Sequence, residues 1–225
     1  MKLIMESWRG FIVEDKKQKI EDLSFGDLKH KGAKDRLAEE PKIIDLKLSD
    51  IPITKYPENA SSEVKKELLA VMSAMKDQKD ISKEEFKKRD LKYTEMLTDY
   101  MKDNNLDYDK KKLERIRNDV AILTLGLKMR YNRPRPEQLG PMLGYDIKSM
   151  KTETDDTPSY PSGHTAQAWT MAYYLADQHP DHKDELFDMA QKIEDSRIIR
   201  GAHYPSDNVE AKKIAKNYYF PNIKE

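Results

Sequence analysis

The stretch LERIRNDVAILTLGLKMRYNRPRP, residues 113–136, decides most of the architecture. Leu113, Ile116, Val120, Leu123 and Leu127 recur every three or four residues, the period of one helix face, and predict a helix from about Asp109 to Arg130. The turns over Val120–Leu127 are apolar on nearly every side, as expected of a helix enclosed by others rather than lying on a surface. Pro134 and Pro136 then stop the helix. Lys128, Arg130, Arg133 and Arg135 therefore gather where a buried helix runs out into a proline-stiffened loop.

Working outward, helical periodicity dominates. Ser61 or Ser62 can cap a helix with Val64, Leu68, Val71 and Met75 on one face. Ser82 with Glu85 reads as a capping box for a helix carrying Phe86, Tyr93, Leu97 and Tyr100, ending at Asn104–Asn105. Beyond the central helix, Gly140, Pro141 and Gly144 impose a loop that continues through Thr152–Pro161. A helix begins near Ser162 and carries Ala166, Trp169, Tyr173 and Ala176 up to Pro180. Another spans about Asp181 to Arg200, and Ser206 caps a final one bearing Val209, Ile214 and Tyr218. Strand signals are confined to Ile43–Leu48. The expectation is an all-α, single helical-bundle domain over residues 59–225. Residues 1–58, interrupted by Pro41, Pro52 and Pro57, form a partly irregular N-terminal arm.

Composition narrows the function classes. The 41 basic and 41 acidic side chains give zero formal net charge, which argues against a nucleic-acid coat. There is no cysteine, so thiolate metal sites, cysteine nucleophiles and disulfides are excluded. No run approaches the roughly 20 apolar residues that cross a bilayer. Met1–Gly10 lacks the apolar centre of a secretory signal, and the expected location is cytoplasmic, without membrane insertion. An oligomer is compatible with the sequence, which specifies none.

Three segments collect the chemistry. In the first, Lys128 through Arg135, cations at a helix end complement its dipole, but stiffly presented arginine and lysine also grip phosphate oxygens. In the second, Ser159-Tyr-Pro-Ser-Gly-His-Thr165 immediately precedes a helix, whose N-terminal amides favour an anion. Ser162 would serve there as an ordinary N-cap. His164, in the first helical turn, opposes the dipole, and proton donation to a leaving group is one reason for it. In the third, Ser196-Arg197 leads to Gly201, His203 and Asp207. The spacing of four can set the Asp207 carboxylate on one ring nitrogen of His203, leaving the other as a nucleophile. A glycine C-cap, a loop histidine and a dipole-complementing aspartate would give the same letters.

Together, Lys-x6-Arg-Pro at Lys128–Pro136, Pro-Ser-Gly-His at Pro161–His164 and Ser-Arg-x5-His-x3-Asp at Ser196–Asp207 resemble a known superfamily. It comprises type 2 phosphatidic acid phosphatases, class A bacterial non-specific acid phosphatases and vanadium haloperoxidases. The resemblance covers about residues 60–220. Tyr131, Arg133, Ser159, Tyr160, Thr165 and Ser206 are similar to the local wording of the class A acid phosphatases. Asn208 departs from it, standing where that group has an aliphatic residue.

The resemblance implies a metal-independent phosphomonoesterase acting on small soluble phosphate esters, with no cofactor and with vanadate as inhibitor. It assigns Lys128, Arg135, Arg197 and the amides of Ser162 and Gly163 to the phosphate oxygens. It assigns His203 to attack on phosphorus, Asp207 to orient it, and His164 to protonate the leaving oxygen and then activate water. A protonated His164 predicts a mildly acidic optimum. The same resemblance leaves a vanadium-dependent haloperoxidase, with vanadate as cofactor on His203, as the alternative. A phosphotransferase would differ only in the hydroxyl that discharges the phospho-histidine. Separately, Met1–Glu14, with Trp8, Phe11 and Ile12-Val13-Glu14, resembles capsid-targeting peptides of tailed phages, which would imply a virion-packaged cargo. An ordinary amphipathic helical start is the better reading of those residues.

Overall fold

In the computed structural model, which describes residues 14, 16–28, 31–52, 54–77, 81–150 and 155–224, the helical pattern is realised with few surprises. The principal elements are α1 (Lys31–Leu37), α2 (Ser62–Asp77), α3 (Lys83–Leu91), α4 (Tyr93–Asp103) and α5 (Lys110–Tyr131). They continue as α6 (Gly163–Gln178), α7 (Lys183–Ile199) and α8 (Pro205–Ile214). Short turns join them, including Pro136–Leu139 and Pro141–Leu143 within the expected loop. Among the described residues there is no strand, only an isolated antiparallel bridge between Ile44 and Ile223. The fold is all-α.

The helix read from residues 113–136 lies at the centre. Leu113, Ile116, Val120, Leu123 and Leu127 are buried with Ala168, Trp169, Ala172 and Leu175 of α6 and with Leu186, Ala190 and Ile193 of α7. Each fully buried aliphatic side chain stabilises the fold by roughly 1.5–3 kcal/mol, so this cluster supplies most of the driving force. A second cluster, including Val64, Leu68, Val71, Leu139, Ile147 and Tyr204, seats α2 against the loops that carry the polar residues. Asn208 turns its departure from the family wording into a crosslink. Its amide nitrogen donates to Glu194 O at 2.9 Å and its oxygen accepts from Thr165 at 2.8 Å, so α6, α7 and α8 meet at one side chain.

Three local expectations are corrected. The helix expected to run from Ser82 to Asn104 breaks at Lys92 (φ −119°, ψ 24°), where α3 gives way to α4. The two halves serve different neighbours: Asp90 is buried among arginines of α7, while Tyr93, Met96 and Leu97 join the central core. Ser82 does cap α3 by accepting from the Glu85 amide at 3.1 Å, but Glu85 itself pairs with Arg89 rather than completing the box. The last helix is capped by Tyr204, not Ser206. Pro205, with its fixed φ, occupies the first helical position, and the Asp207 carboxylate accepts the Tyr204 amide at 3.1 Å.

The N-terminal segment packs on this body through specific anchors. Asp119 of α5, 2% exposed, accepts the amides of Lys42, Ile43 and Ile44 at 2.8, 2.7 and 3.0 Å. Leu48 lies against Gly126, where an added Cβ would collide with Leu48 Cδ1 and force that side chain to shift. Asn59 donates to the carbonyls of Ile20, Glu21 and Leu23. The proposed phage-type peptide, Met1–Glu14, falls almost wholly outside the described residues, and His30 does too.

Candidate active site

Four arginines, Arg133, Arg135, Arg197 and Arg200, are at most 2% exposed, and each is held by carboxylates or carbonyls. Burying a guanidinium costs several kcal/mol unless its charge and N–H groups are matched, so their partners define the site. Arg135 follows the end of α5 and donates from Nε to Thr157 O (2.9 Å) and from one terminal nitrogen to Ala202 O (2.9 Å). The same nitrogen sits 3.4 Å from an Asp155 oxygen. Arg197 and Arg200, a turn apart at the end of α7, share Asp90, and Arg200 also binds Asp155. The Nε of Arg197 is a buried donor with no acceptor. Lys128 donates to the carbonyls of Pro158 and Ser159, and burial with Arg135 nearby pushes its pKa well down.

The opposite wall is organised around His203. Gly201 takes φ +73° after α7, reversing the chain so that His203 and Asp207 face one another across the first turn of α8. Asp207 Oδ2 lies 2.9 Å from His203 Nδ1 and also accepts from Ser159 Oγ and the Tyr204 amide. Its other oxygen, Oδ1, accepts from Arg133 at 2.6 Å. Burial alone would raise the Asp207 pKa, but Arg133 and the bonds from His203 and Ser159 outweigh it and hold the group well below the usual carboxylate range. An ionised Asp207 places the histidine proton on Nδ1, so Nε2 carries the lone pair. That nitrogen is 3.4 Å from a terminal nitrogen of Arg135. Burial first and Arg135 second depress the His203 pKa well below its ordinary value, against the pull of Asp207.

Between the walls is a cavity of about 330 Å³ lined by Lys128, Arg135, Gly163, His164, Arg197 and His203, among others. These are six of the eight residues that the sequence singles out. Asp207 backs His203 from behind. Ser162 is the exception in role: its amide donates to Asp207 O at 3.0 Å and its hydroxyl bonds Thr165 at 2.8 Å. It therefore clamps the start of α6 to that of α8, and the amide expected to meet phosphate is already used.

His164 is half-buried, its ring edge-on to Tyr93 at a centroid distance of 4.9 Å. Tyr93 is fixed in turn by donating to Gln167 at 2.8 Å. Burial and the cations Arg200, Lys128 and Arg135 lower the His164 pKa to about 3. The far side of the cavity is walled by Gly32, Ala33 and Arg36 of α1 together with Ala121, Thr124 and Leu125 of α5.

Several participants have no signal in the sequence. Asp90, Asp155, Glu67 and Arg200 come from segments whose charges look like any other solvated charge, and only folding brings them to the cluster. Arg133 is visible in the cation-rich run but without a role. No group of three or more histidine, aspartate or glutamate side chains among the described residues is arranged to hold a metal ion. No described helix is long and apolar enough to cross a membrane.

Part of the chain is similar in sequence to bacterial acid phosphatases. A non-specific acid phosphatase of Providencia stuartii is 33% identical over 97 residues, covering 41% of this chain and 37% of that protein. An acid phosphatase of Zymomonas mobilis is 47% identical over 49 residues, 22% of this chain and 19% of its own length. A non-specific acid phosphatase of Salmonella typhimurium is 34% identical over 88 residues, 37% of this chain and 33% of its own. The chain thus spans roughly a fifth to two fifths of the curated relatives it matches. The model of the PAP2 superfamily matches residues 120–214, from the buried half of α5 through the whole of α8.

Proposed function

We propose that this protein hydrolyses small phosphate monoesters through a phospho-histidine on His203, without a metal. One observation carries the reading. Nδ1 of His203 is committed to Asp207, while the ring lines a cavity whose other walls present Lys128, Arg135 and Arg197. Phosphoryl transfer asks mainly for positioning and charge stabilisation, and buried fixed cations supply both. The catalytic unit is residues 59–225, and residues 1–58 are an arm that contributes one wall.

In this mechanism Lys128, Arg135 and Arg197 bind the non-bridging oxygens, with the unpartnered Nε of Arg197 as one available donor. Gly163 lines the same space, and its amide is a further donor to the phosphate oxygens in this reading. Nε2 of His203 attacks phosphorus, the bond to the ester oxygen breaks, and His164 delivers a proton to that oxygen. Asp207 stabilises the charge that the phosphorylated ring acquires. His164 then takes a proton from water, whose oxygen attacks phosphorus and releases phosphate from His203. Before substrate binds, burial and then the surrounding cations keep His164 neutral at pH 5–7. The phosphate of the substrate brings negative charge beside the ring, raising its proton affinity, so His164 acquires its proton as the complex forms.

The test is release of phosphate from an aryl phosphate at pH 5–7 with a chelator present, alongside His203→Ala and vanadate. Chelator-resistant activity that disappears with the substitution and with vanadate is expected. Inactivity on several esters, combined with halide oxidation by peroxide in the presence of vanadate, would replace this reading with the haloperoxidase.

A further inference from the structure

Asp207 is bound from two sides, and the second side leads away from the cavity. Arg133 donates to Asp207 Oδ1 at 2.6 Å and to Ser206 Oγ at 2.8 Å, and its other terminal nitrogen donates to Glu67 Oε2 at 2.8 Å. Glu67 Oε1 accepts the Ser206 amide at 2.7 Å. One carboxylate on α2 thus holds both the guanidinium and the turn on which Asp207 stands. The guanidinium lies 3.7 Å from the Tyr204 ring centroid and 4.9 Å from that of Tyr56, so it is clamped in plane as well as at its ends. Arg133 does not line the cavity, and Glu67 lies outside the residues matched by the superfamily model.

A histidine paired with a carboxylate ordinarily becomes easier to protonate, and a protonated ring is no nucleophile. An enzyme meant to work in acid has to counter this. A permanent cation on the far oxygen of Asp207 does so, because it draws negative charge away from the histidine and opposes a second proton on the pair.

We propose that Glu67 and Arg133 form a buried relay: Glu67 anchors Arg133 and the Ser206 turn and so aims Asp207, and the charge of Arg133 keeps Nε2 of His203 unprotonated as the pH falls. Both are positioning residues, acting on the nucleophile through Asp207. The functional meaning rests on the phosphatase reading above, whereas the electrostatic linkage does not. Arg133 is faced by Asp207 and Ser206 of α8, Glu67 of α2 and the phenols of Tyr56, Tyr160 and Tyr204. His203 is faced by Asp207, Arg135, Lys128 and Ser159. Of the charged groups, Arg133 is the one that touches Asp207 without entering the cavity.

The experiment is a ligand-free 15N NMR titration of the His203 imidazole from pH 7 to 3, its signal assigned by loss in His203→Ala. Circular dichroism checks that each variant is folded. Arg133→Met is expected to raise the protonation midpoint by about one pH unit or more, the effect of an opposite charge in contact. Arg133→Lys, which keeps the charge, is expected to remain close to wild type. Glu67→Gln removes the anion that balances Arg133, and a midpoint equal to or below wild type is expected, with slower phospho-enzyme formation in a rapid-quench assay. A folded Arg133→Met whose midpoint stays with wild type, or a lysine variant that shifts as far as the methionine one, overturns the relay. Should Arg133→Met not fold, a Glu67→Gln midpoint that rises does the same. Because the titration uses no substrate, a wild type inactive on phosphate esters would remove the phosphatase reading while leaving the linkage to be judged on the midpoints.

Discussion

The two walls of the cavity are made of the same groups in opposite proportion. Behind His203, two carboxylates, Asp207 and Glu67, enclose one guanidinium, Arg133. On the other wall are four cations, Lys128, Arg135, Arg197 and Arg200, paired through Asp90 and Asp155, with Glu137 also acting on Arg135 and Arg200. In the first, Asp207 has donors on both oxygens, and the excess negative charge lies beside the His203 ring. The second is left with excess positive charge, and Arg197 Nε, on a residue that lines the cavity, is a buried donor without an acceptor, which suits an anion. Identical chemistry thus yields a donor half and an acceptor half, and the ratio of acids to bases in each decides which is which.

Removing the reacting atom should break that division most completely. His203→Ala is expected to lower turnover by on the order of 10³-fold or more and abolish the phospho-enzyme, measured by single-turnover quench with a labelled ester. On the acceptor wall, Arg135→Ala should cost about 10²–10³-fold in kcat/KM, the scale for losing one fixed donor to developing charge. Vanadate affinity should weaken with it; an unchanged inhibition constant would remove Arg135 from the phosphate cradle. Asp90→Asn tests the balance from the other side. It leaves Arg197 and Arg200 short of a buried counter-charge, and a destabilisation of about 3–5 kcal/mol is expected in chemical denaturation. Phosphate should recover part of that loss, because it restores the missing negative charge.

A smaller effect separates the walls by pH. The His164 pKa is about 3 in the folded chain, below its ordinary value, so between pH 6.5 and 3 the unfolded chain holds the extra proton. The corresponding stability is fully present above pH 6.5 and is lost as pH falls toward 3, at up to about 1.4 kcal/mol per pH unit for one proton. Saturating phosphate should flatten this slope by raising the folded-state value. A stability curve indifferent to phosphate between pH 4 and 6 would contradict the coupling. The exposed pair Lys92–Glu95, at 3.0 Å, serves as the control, and Lys92→Ala should change stability by less than about 1 kcal/mol.

The donor half was largely legible in the sequence and the acceptor half only in part. Gly201, His203 and Asp207 lie within one turn of each other, so their geometry follows from local backbone rules and needs no knowledge of the fold. The same holds for the central helix, where an apolar surround over Val120–Leu127 fixes both burial and the exit of Lys128 into the loop. Asp90 and Asp155 are another matter. They reach Arg197 and Arg200 across more than a hundred and about forty positions respectively, and nothing local distinguishes them among 41 acidic residues. Glu67 escaped for the same reason. The Ser162 amide goes to Asp207 O, an outcome hidden from the sequence because a helix N-terminus offers several amides and nothing local says which one another backbone takes.

The carboxylate of Asp119 gathers three successive amides of residues 42–44, a grip usually reserved for a bound anion and here spent on the chain's own backbone. It sits on the same helix as Lys128, with Leu48 packed beside Gly126 between them along that helix. The segment carrying α1 is therefore fastened to the rod that presents the chemistry, yet it shares no residue with the phosphate cradle. Such a wall is exchangeable. On the proposed phosphatase reading, sequence drift in residues 31–37 would alter which leaving groups fit while the reacting groups stay as they are, and the arm would be where new substrates are acquired first.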